Sequence, residues 1–177
     1  MKKTLLIFCF LFCISFAGKA QDNISLPQQY QKMMEKILSK IPSVATSSAS
    51  QLLDFAKSMI GTRYRYASSN PSKGFDCSGF VNYVFSNFGF KVPRSSPEFA
   101  STGVPVKLEN AKVGDVLIFT GSNPRVRKIG HVGIIYSIEN GEIKFIHSSS
   151  GKANGVTITD LNGYYKSRFM KAVSIIE

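Results

Sequence analysis

The chain has 177 residues, of which 44% are hydrophobic and 12% aromatic. This length and composition fit one folded domain with short extensions and exclude a disordered chain. The formal net charge of +11 would suit nucleic acid or an anionic envelope surface, and scattered surface lysines explain it equally well. No zinc-finger spacing, RNA-binding aromatic motif or basic repeat occurs in the sequence, so no nucleic-acid partner is expected.

The first twenty residues have the pattern of an export signal. Two lysines precede an apolar run over residues 4–17, which is too short for a comfortable membrane span. Small residues just after this run predict cleavage near Ala20-Gln21. We therefore expect an exported protein, periplasmic or secreted, with residues 1–20 as its signal peptide. An uncleaved membrane anchor is the alternative.

Removal of this segment changes the cysteine count. Cys9 and Cys13 lie in the apolar run, so the mature chain keeps only Cys77. Exported proteins usually pair their cysteines, and a lone thiol is therefore an apolar filler, an intermolecular link or a nucleophile. The same removal takes three of the 22 basic residues and none of the 11 acidic ones, which lowers the formal charge from +11 to +8.

A short segment separates the predicted signal from the main domain. Apolar residues at helical spacing predict a helix over residues 27–40, which Pro42 ends. The serine-rich stretch over residues 43–50 predicts a linker. We therefore expect a segment of residues 21–50, with a short helix and a linker, followed by one domain over residues 51–177.

Within that domain, helices are predicted first and strands afterwards. The helices cover residues 51–60 and 77–88, and a glycine follows each of them. The strands cover residues 115–120, 131–138, 142–147, 155–159 and 168–176, and Asn140-Gly141 predicts a hairpin between the second and third of these. Helices followed by an antiparallel sheet indicate the α+β class, with the N-terminal helices packed on the sheet.

The second of these helices begins at a candidate nucleophile. Asp76 is a favourable N-cap residue, so Cys77 falls in the first turn, where unpaired N–H groups and the helix dipole favour a thiolate. Gly79 leaves space beside the sulfur for a substrate. Because Cys77 also lies at helical spacing from Phe80 and Val84, inert packing in the core is the alternative.

The two histidines of the chain, His131 and His147, both fall on the predicted hairpin. A cysteine nucleophile needs a base that takes and returns its proton, and a group that orients the base. A plain two-residue turn at Asn140-Gly141 would place the two rings on opposite faces of the sheet. A three-residue loop would place them on one face as diagonal neighbours. The catalytic interpretation therefore predicts an odd-length loop or a bulge.

Four stretches of this domain resemble the NlpC family of bacterial cell-wall cysteine endopeptidases, which have a papain-like core. They are residues 61–66 (GTRYRY), 74–81 (GFDCSGFV), 113–119 (VGDVLIF) and 130–134 (GHVGI). The order Cys77, His131, His147 matches the catalytic order of the family, and the likeness covers about residues 51–177. Where members commonly have two glycines, this chain has Ala67-Ser68, a departure that borders the expected groove.

By this resemblance, Cys77 attacks the scissile carbonyl, His131 acts as general base and then acid, and His147 orients His131. The reaction implied is hydrolysis of peptidoglycan stem peptides, at the bond between D-γ-glutamate and a diamino acid, through an acyl-thioester. No metal or organic cofactor is implied. We also expect a monomer.

The resemblance assigns three further residues to oxyanion or substrate binding. Tyr64 matches a tyrosine that borders the site and helps to bind the oxyanion, with the backbone N–H of Cys77 as the other donor. A core aromatic is the alternative for Tyr64. Asp76 is expected to cap the helix first and to contact substrate second, and Ser78 is expected to contact substrate.

Three rival functions stay open. An amidase or acyltransferase on the same scaffold would use the same cysteine and histidines, because each reaction proceeds through an acyl-thioester. One cysteine and two histidines could also form a zinc site, although no local paired-ligand spacing such as Cys-x-x-Cys occurs. A non-catalytic wall-binding module is the third alternative, against which the intact trio argues.

Overall fold

The computed structural model describes residues 32–33 and 44–176. The chain divides into two units, Met1–Ile41 and Pro42–Glu177. In the first unit, the two described residues are helical and exposed to solvent. The second unit contains every other described residue, and it carries all the candidate site residues.

Several predictions concern residues that the structure does not describe. They are the signal peptide over residues 1–20, its cleavage near Ala20-Gln21, and most of the helix over residues 27–40. Within the described residues, no helix is long enough and apolar enough to cross a membrane.

Within residues 44–176, the helices and strands alternate with short loops. The helices are Val44–Ser58 (α1), Cys77–Asn87 (α2) and Gly163–Arg168 (α3), with 3₁₀ turns at Ser96–Ser101 and Leu108–Asn110. The strands are Ser69–Asn70 (β1), Gly74–Phe75 (β2), Val104–Val106 (β3), Val116–Thr120 (β4), Ile129–Glu139 (β5), Glu142–Ser149 (β6), Gly155–Asp160 (β7) and Phe169–Ser174 (β8).

Helix α1 corrects the prediction of a linker over residues 43–50. The helix begins at Val44 rather than at residue 51, so most of the serine-rich stretch is helical. Helices gain most of their stability from packing of an apolar face rather than from residue propensity. The buried side chains of Leu52, Leu53 and Ala56 supply that face, and they stabilise the serine-rich turns that precede them.

Six strands form one sheet in the order β3-β8-β4-β5-β6-β7, and each neighbouring pair is antiparallel. One face of the sheet contributes to a core that also contains buried residues of α1 and α2. The other face packs against a smaller cluster that includes Tyr165 of α3. The predicted α+β class, with an antiparallel sheet, is confirmed.

The hairpin formed by β5 and β6 contains a bulge. Its turn is the plain two-residue turn at Asn140-Gly141, and both turn residues have positive φ angles of 53° and 81°, as this tight turn requires. Tyr136 is an extra residue at the point where the pairing register shifts. A one-residue shift moves side chains to the other face, so His131 and His147 project from the same face, as the catalytic interpretation predicts.

Candidate active site

The candidate nucleophile is the first residue of α2 and directly follows the residue that caps this helix. The Oδ1 atom of Asp76 accepts a hydrogen bond from the backbone N–H of Gly79 at 2.6 Å, which satisfies one of the unpaired donors of the first turn. Cys77 follows this cap and only 8% of it is exposed. The sulfur is therefore held at the helix tip, close beneath the surface.

The backbone on both sides of His131 contacts the sulfur. The thiol of Cys77 lies 3.9 Å from the carbonyl oxygen of Gly130, and the backbone N–H of Val132 is close enough to lower the pKa of the thiol. The paired register of β5 with β6 runs from Ile134 towards the turn. The Cys77 sulfur thus contacts the first residues of β5, which precede the region paired with β6 and lie next to His131.

A hydrogen-bonded chain runs from His131 away from the sulfur. The Nε2 atom of His131 lies 2.8 Å from Nδ1 of His147, and Nε2 of His147 lies 3.0 Å from the hydroxyl oxygen of Thr159. If His131 accepts the thiol proton at Nδ1, its Nε2–H donates to His147, whose own Nε2–H donates to Thr159. One set of tautomers therefore satisfies both hydrogen bonds and leaves Nδ1 of His131 free to accept a proton.

Burial keeps both imidazoles neutral. His147 is fully buried and His131 is 8% exposed. Burial, helped by the positive charge of Arg168, lowers the pKa of His147 to about 3. Burial lowers the pKa of His131 well below its ordinary value, with smaller contributions from His147 and Arg168. A neutral imidazole is the form that accepts a proton.

The thiol is also neutral, which corrects the expectation of a thiolate. Burial raises the pKa of Cys77, the Asp76 carboxylate raises it further, and the N–H groups of Val132, Ser78 and Cys77 lower it. The helix tip does act as expected through its N–H groups, but the loss of hydration outweighs it. The free site therefore holds a neutral thiol beside a neutral base.

Asp76 and Ser78 are joined to Arg94, whose role the local sequence pattern does not predict. Arg94 donates to both carboxylate oxygens of Asp76, at 2.9 and 2.7 Å, and to the hydroxyl of Ser78 at 3.2 Å. The side chain of Arg94 is 42% exposed, whereas that of Asp76 is 10% exposed. A carboxylate bound in this way has little capacity left to bind a substrate. The more exposed Arg94 guanidinium is therefore the part of the ion pair that faces the groove. No local pattern around Arg94 indicated this partnership.

The sulfur opens onto a groove of about 490 Å³. Tyr64 and Tyr66 line it together with Arg94 and Pro97. Burial, followed by the nearby Cys77, raises the pKa of Tyr64, so its hydroxyl stays protonated and able to donate. Tyr64 therefore borders the groove and is only half-buried, which does not fit a core aromatic.

Four of the six predicted site residues line the groove: Tyr64, Asp76, Cys77 and Ser78. His131 follows Gly130 of the lining, and His147 lies behind His131. Thr159 and Arg94 were missed, because their roles depend on contacts with residues distant in sequence. Among the described residues, no group of three histidine, cysteine or acidic side chains is arranged to hold a metal ion. Both ring nitrogens of His147 have hydrogen-bond partners, Nδ1 with His131 and Nε2 with Thr159, which argues against the rival zinc site.

Comparisons with known proteins show which family this chain resembles. A family model described as the NlpC/P60 family matches residues 61–174. The γ-DL-glutamyl hydrolase of Bacillus subtilis is 34% identical over 134 residues, which cover 74% of this chain and 30% of that protein. The murein DD-endopeptidase MepS/murein LD-carboxypeptidase of Escherichia coli K12 is 36% identical over 130 residues, which cover 72% of this chain and 63% of that protein.

A solved structure supports the same assignment. An NlpC/P60 family protein from Bacillus cereus superposes with a TM-score of 0.64 at 28% identity, covering 73% of this chain and 40% of that one. The chain spans less than two thirds of the length of the two curated relatives. The resemblance seen in the sequence is confirmed, because the family model matches more than half of the residues: the chain belongs to the NlpC/P60 family.

Proposed function

We propose that the protein is an exported cysteine peptidase that hydrolyses peptidoglycan stem peptides, with Cys77 as nucleophile. The observation that carries this proposal is the chain of contacts in which the only thiol of the described residues lies against the backbone flanking His131, and His131 bonds His147. A neutral imidazole backed by a second imidazole is a general base with a fixed orientation.

The reaction proceeds in two halves. The sulfur of Cys77 attacks the scissile carbonyl carbon as the thiol proton passes to Nδ1 of His131. The developing oxyanion accepts hydrogen bonds from the backbone N–H of Cys77 and from the hydroxyl of Tyr64. His131 then returns the proton to the leaving amine, which leaves an acyl-thioester. Water hydrolyses this ester with His131 again as base, and the thiol is restored.

The bond proposed for cleavage joins D-γ-glutamate to a diamino acid. The name of the Bacillus subtilis relative, a γ-DL-glutamyl hydrolase, favours it. A γ-linked D-glutamate carries a free carboxylate near the scissile bond, and the half-exposed Arg94 offers a cation in the groove. The name of the Escherichia coli relative, a murein DD-endopeptidase, favours a DD-endopeptidase as the second candidate.

The location and surroundings of the enzyme belong to the same proposal. An apolar run follows two lysines at the start of the chain, which supports export to the periplasm or beyond the cell. The positive net charge supports attraction to an anionic envelope surface. The working unit is a monomer. It needs no metal or organic cofactor, since Cys77 and the two histidines supply the chemistry.

Mass spectrometry of digested peptidoglycan tests the proposal. The chain beginning at Gln21 is incubated with purified wall fragments, and Cys77→Ser serves as the matched variant. We expect a free diamino-acid amine and a new D-glutamate end from the parent and no product from the variant. Equal products from both would remove Cys77 from the mechanism. Cleavage between two stems would favour the DD-endopeptidase, and release of whole stems from sugar would indicate an amidase.

A further inference from the structure

Arg168 is a buried cation with no acidic partner among the described residues. It is the last residue of α3, and 6% of it is exposed. None of the three ion pairs between described residues includes it. Its guanidinium donates to the carbonyl oxygens of Thr120 and Gly121, at 2.8 Å each. Burial of a charge without a counter-ion is costly, so this position requires an explanation beyond packing.

An aromatic ring joins this cation to the histidine pair. The guanidinium carbon of Arg168 lies 5.2 Å from the ring centroid of Tyr165. The same ring lies 5.9 Å from the ring of His131 and 5.2 Å from that of His147. The carbonyls that Arg168 binds follow Phe119, which is the cross-strand partner of His131. Arg168 therefore ties α3 to the end of β4, directly beside the candidate base.

Few groups that face the pair can carry charge. Cys77 approaches from α2, the two histidines belong to β5 and β6, and α3 contributes Tyr165 and Arg168. The remaining neighbours are apolar rings from β4 and β6 and a threonine hydroxyl from β7. Among the described residues, Arg168 is the one permanently charged group that acts on both imidazoles, and its effect is to lower the pKa of each.

We propose that Arg168 is a positioning residue of the site: its buried charge opposes proton uptake by the histidine pair, and its carbonyl bonds hold Tyr165 against both rings. The catalytic consequence rests on the proposed peptidase function. A base kept neutral stays competent in acid solution. The imidazolium that forms at His131 during attack is also disfavoured, so it returns its proton readily to the leaving amine.

Two substitutions of Arg168 separate its charge from its bonds. Arg168→Met removes both, whereas Arg168→Lys retains the charge. The protonation of the two imidazoles is followed by NMR in the purified exported protein without substrate, and the acid limb of kcat/KM is measured in parallel. We expect the parent rings to stay neutral to the lowest pH at which the protein is folded. In Arg168→Met, protonation and the acid limb should move up by roughly one pH unit, and Arg168→Lys should follow the parent.

A second pair of variants keeps the arginine in place, in case Arg168→Met does not fold. Tyr164 is 52% exposed, and its ring centroid lies 4.7 Å from the guanidinium carbon of Arg168. Tyr164→Glu sets a carboxylate beside Arg168 and offsets its charge, while Tyr164→Gln is the uncharged match. We expect an upward shift for the glutamate variant alone. Equal behaviour of the two variants would overturn the proposal.

Arg127 provides a matched control. Its exposed guanidinium donates to the carbonyls of Ser167 and Phe169 at 3.4 and 2.9 Å, so it also binds the end of α3, but it does not act on either imidazole. Arg127→Met should leave both titrations unchanged. A shift as large as that of Arg168→Met would mean that loosening of α3 explains the effect. Because the NMR titration needs no turnover, absence of peptidase activity would overturn the proposed function and leave this test intact.

Discussion

The rings of His131 and His147 meet edge to face, with centroids 4.9 Å apart, an interplanar angle of 86° and 2.8 Å between Nε2 and Nδ1. This perpendicular contact fixes which nitrogen of His131 is engaged. The free nitrogen, Nδ1, is left to take a proton, and the choice depends on an acceptor at the position of His147 Nδ1.

Replacement of His147 should therefore lower turnover more than substrate binding. His147→Leu removes the acceptor and strands the Nε2–H of His131, and we expect kcat to fall by about a hundredfold or more. His147→Asn offers an oxygen in a similar place and should lose less. Steady-state kinetics on a defined stem peptide check both variants. A KM effect at constant kcat would contradict an orienting role.

Alkylation of Cys77 should reveal a thiol whose pKa lies above its ordinary value. Since the thiolate is the reactive form, and burial raises the pKa of Cys77, the rate with iodoacetamide should keep rising with pH beyond about 8.5. In a chain beginning at Gln21 this is the single thiol, and the same chain in urea provides the reference. A plateau of the folded protein near neutral pH, lost in His131→Ala, would instead indicate a thiolate–imidazolium pair.

The buried histidine pair should make the fold sensitive to acid. An unfolded histidine titrates near pH 6.5, whereas burial lowers the pKa of His147 to about 3 in the folded state. Between these values the unfolded chain binds more protons, so the free energy of unfolding falls as the pH falls, by up to about 1.4 kcal/mol per pH unit for this group. Urea unfolding at several pH values measures the slope, and His147→Asn should flatten it. An unchanged slope in His147→Asn would mean that the pKa of His147 is the same in the folded and unfolded states.

Much of this fold could be predicted from the sequence, because its main helices, strands and turns depend on residues that are close together in the chain. The apolar stripe of α2, the alternating strands and the Asn140-Gly141 turn each depend on neighbours within a few positions. The bulge at Tyr136 followed only as a requirement of catalysis, since nothing in its immediate sequence specifies an extra residue. Helix α1 was shortened in the prediction, because its serine-rich start is stabilised by tertiary packing.

The site residues also divide into those that the local sequence identifies and those that depend on tertiary contacts. Cys77, His131 and His147 could be selected because cysteine and histidine are scarce in this chain and their chemistry is distinctive. Thr159 and Arg168 belong to common residue types and act through partners on other strands or helices, which periodicity does not show. The charge state of the thiol was mispredicted for a related reason, since a helix tip can be identified from local sequence but the depth of burial cannot.

Gly133 sets the distance between the two central strands of the site. It lies on β5, and a Cβ atom added to it would lie 2.7 Å from Cδ2 of Phe145 and 3.0 Å from Cβ of His147. Gly133→Ala must push β6, or the rings of Phe145 and His147, away from β5. We therefore expect kcat to fall at least tenfold and the free energy of unfolding to fall by about 1–3 kcal/mol. Gly121→Ala is the matched control, because nothing lies within 4 Å of the added Cβ. Thermal unfolding and kinetics on the same stem peptide measure both variants. If Gly133→Ala retained parental turnover, the spacing of His131 and His147 would not limit catalysis.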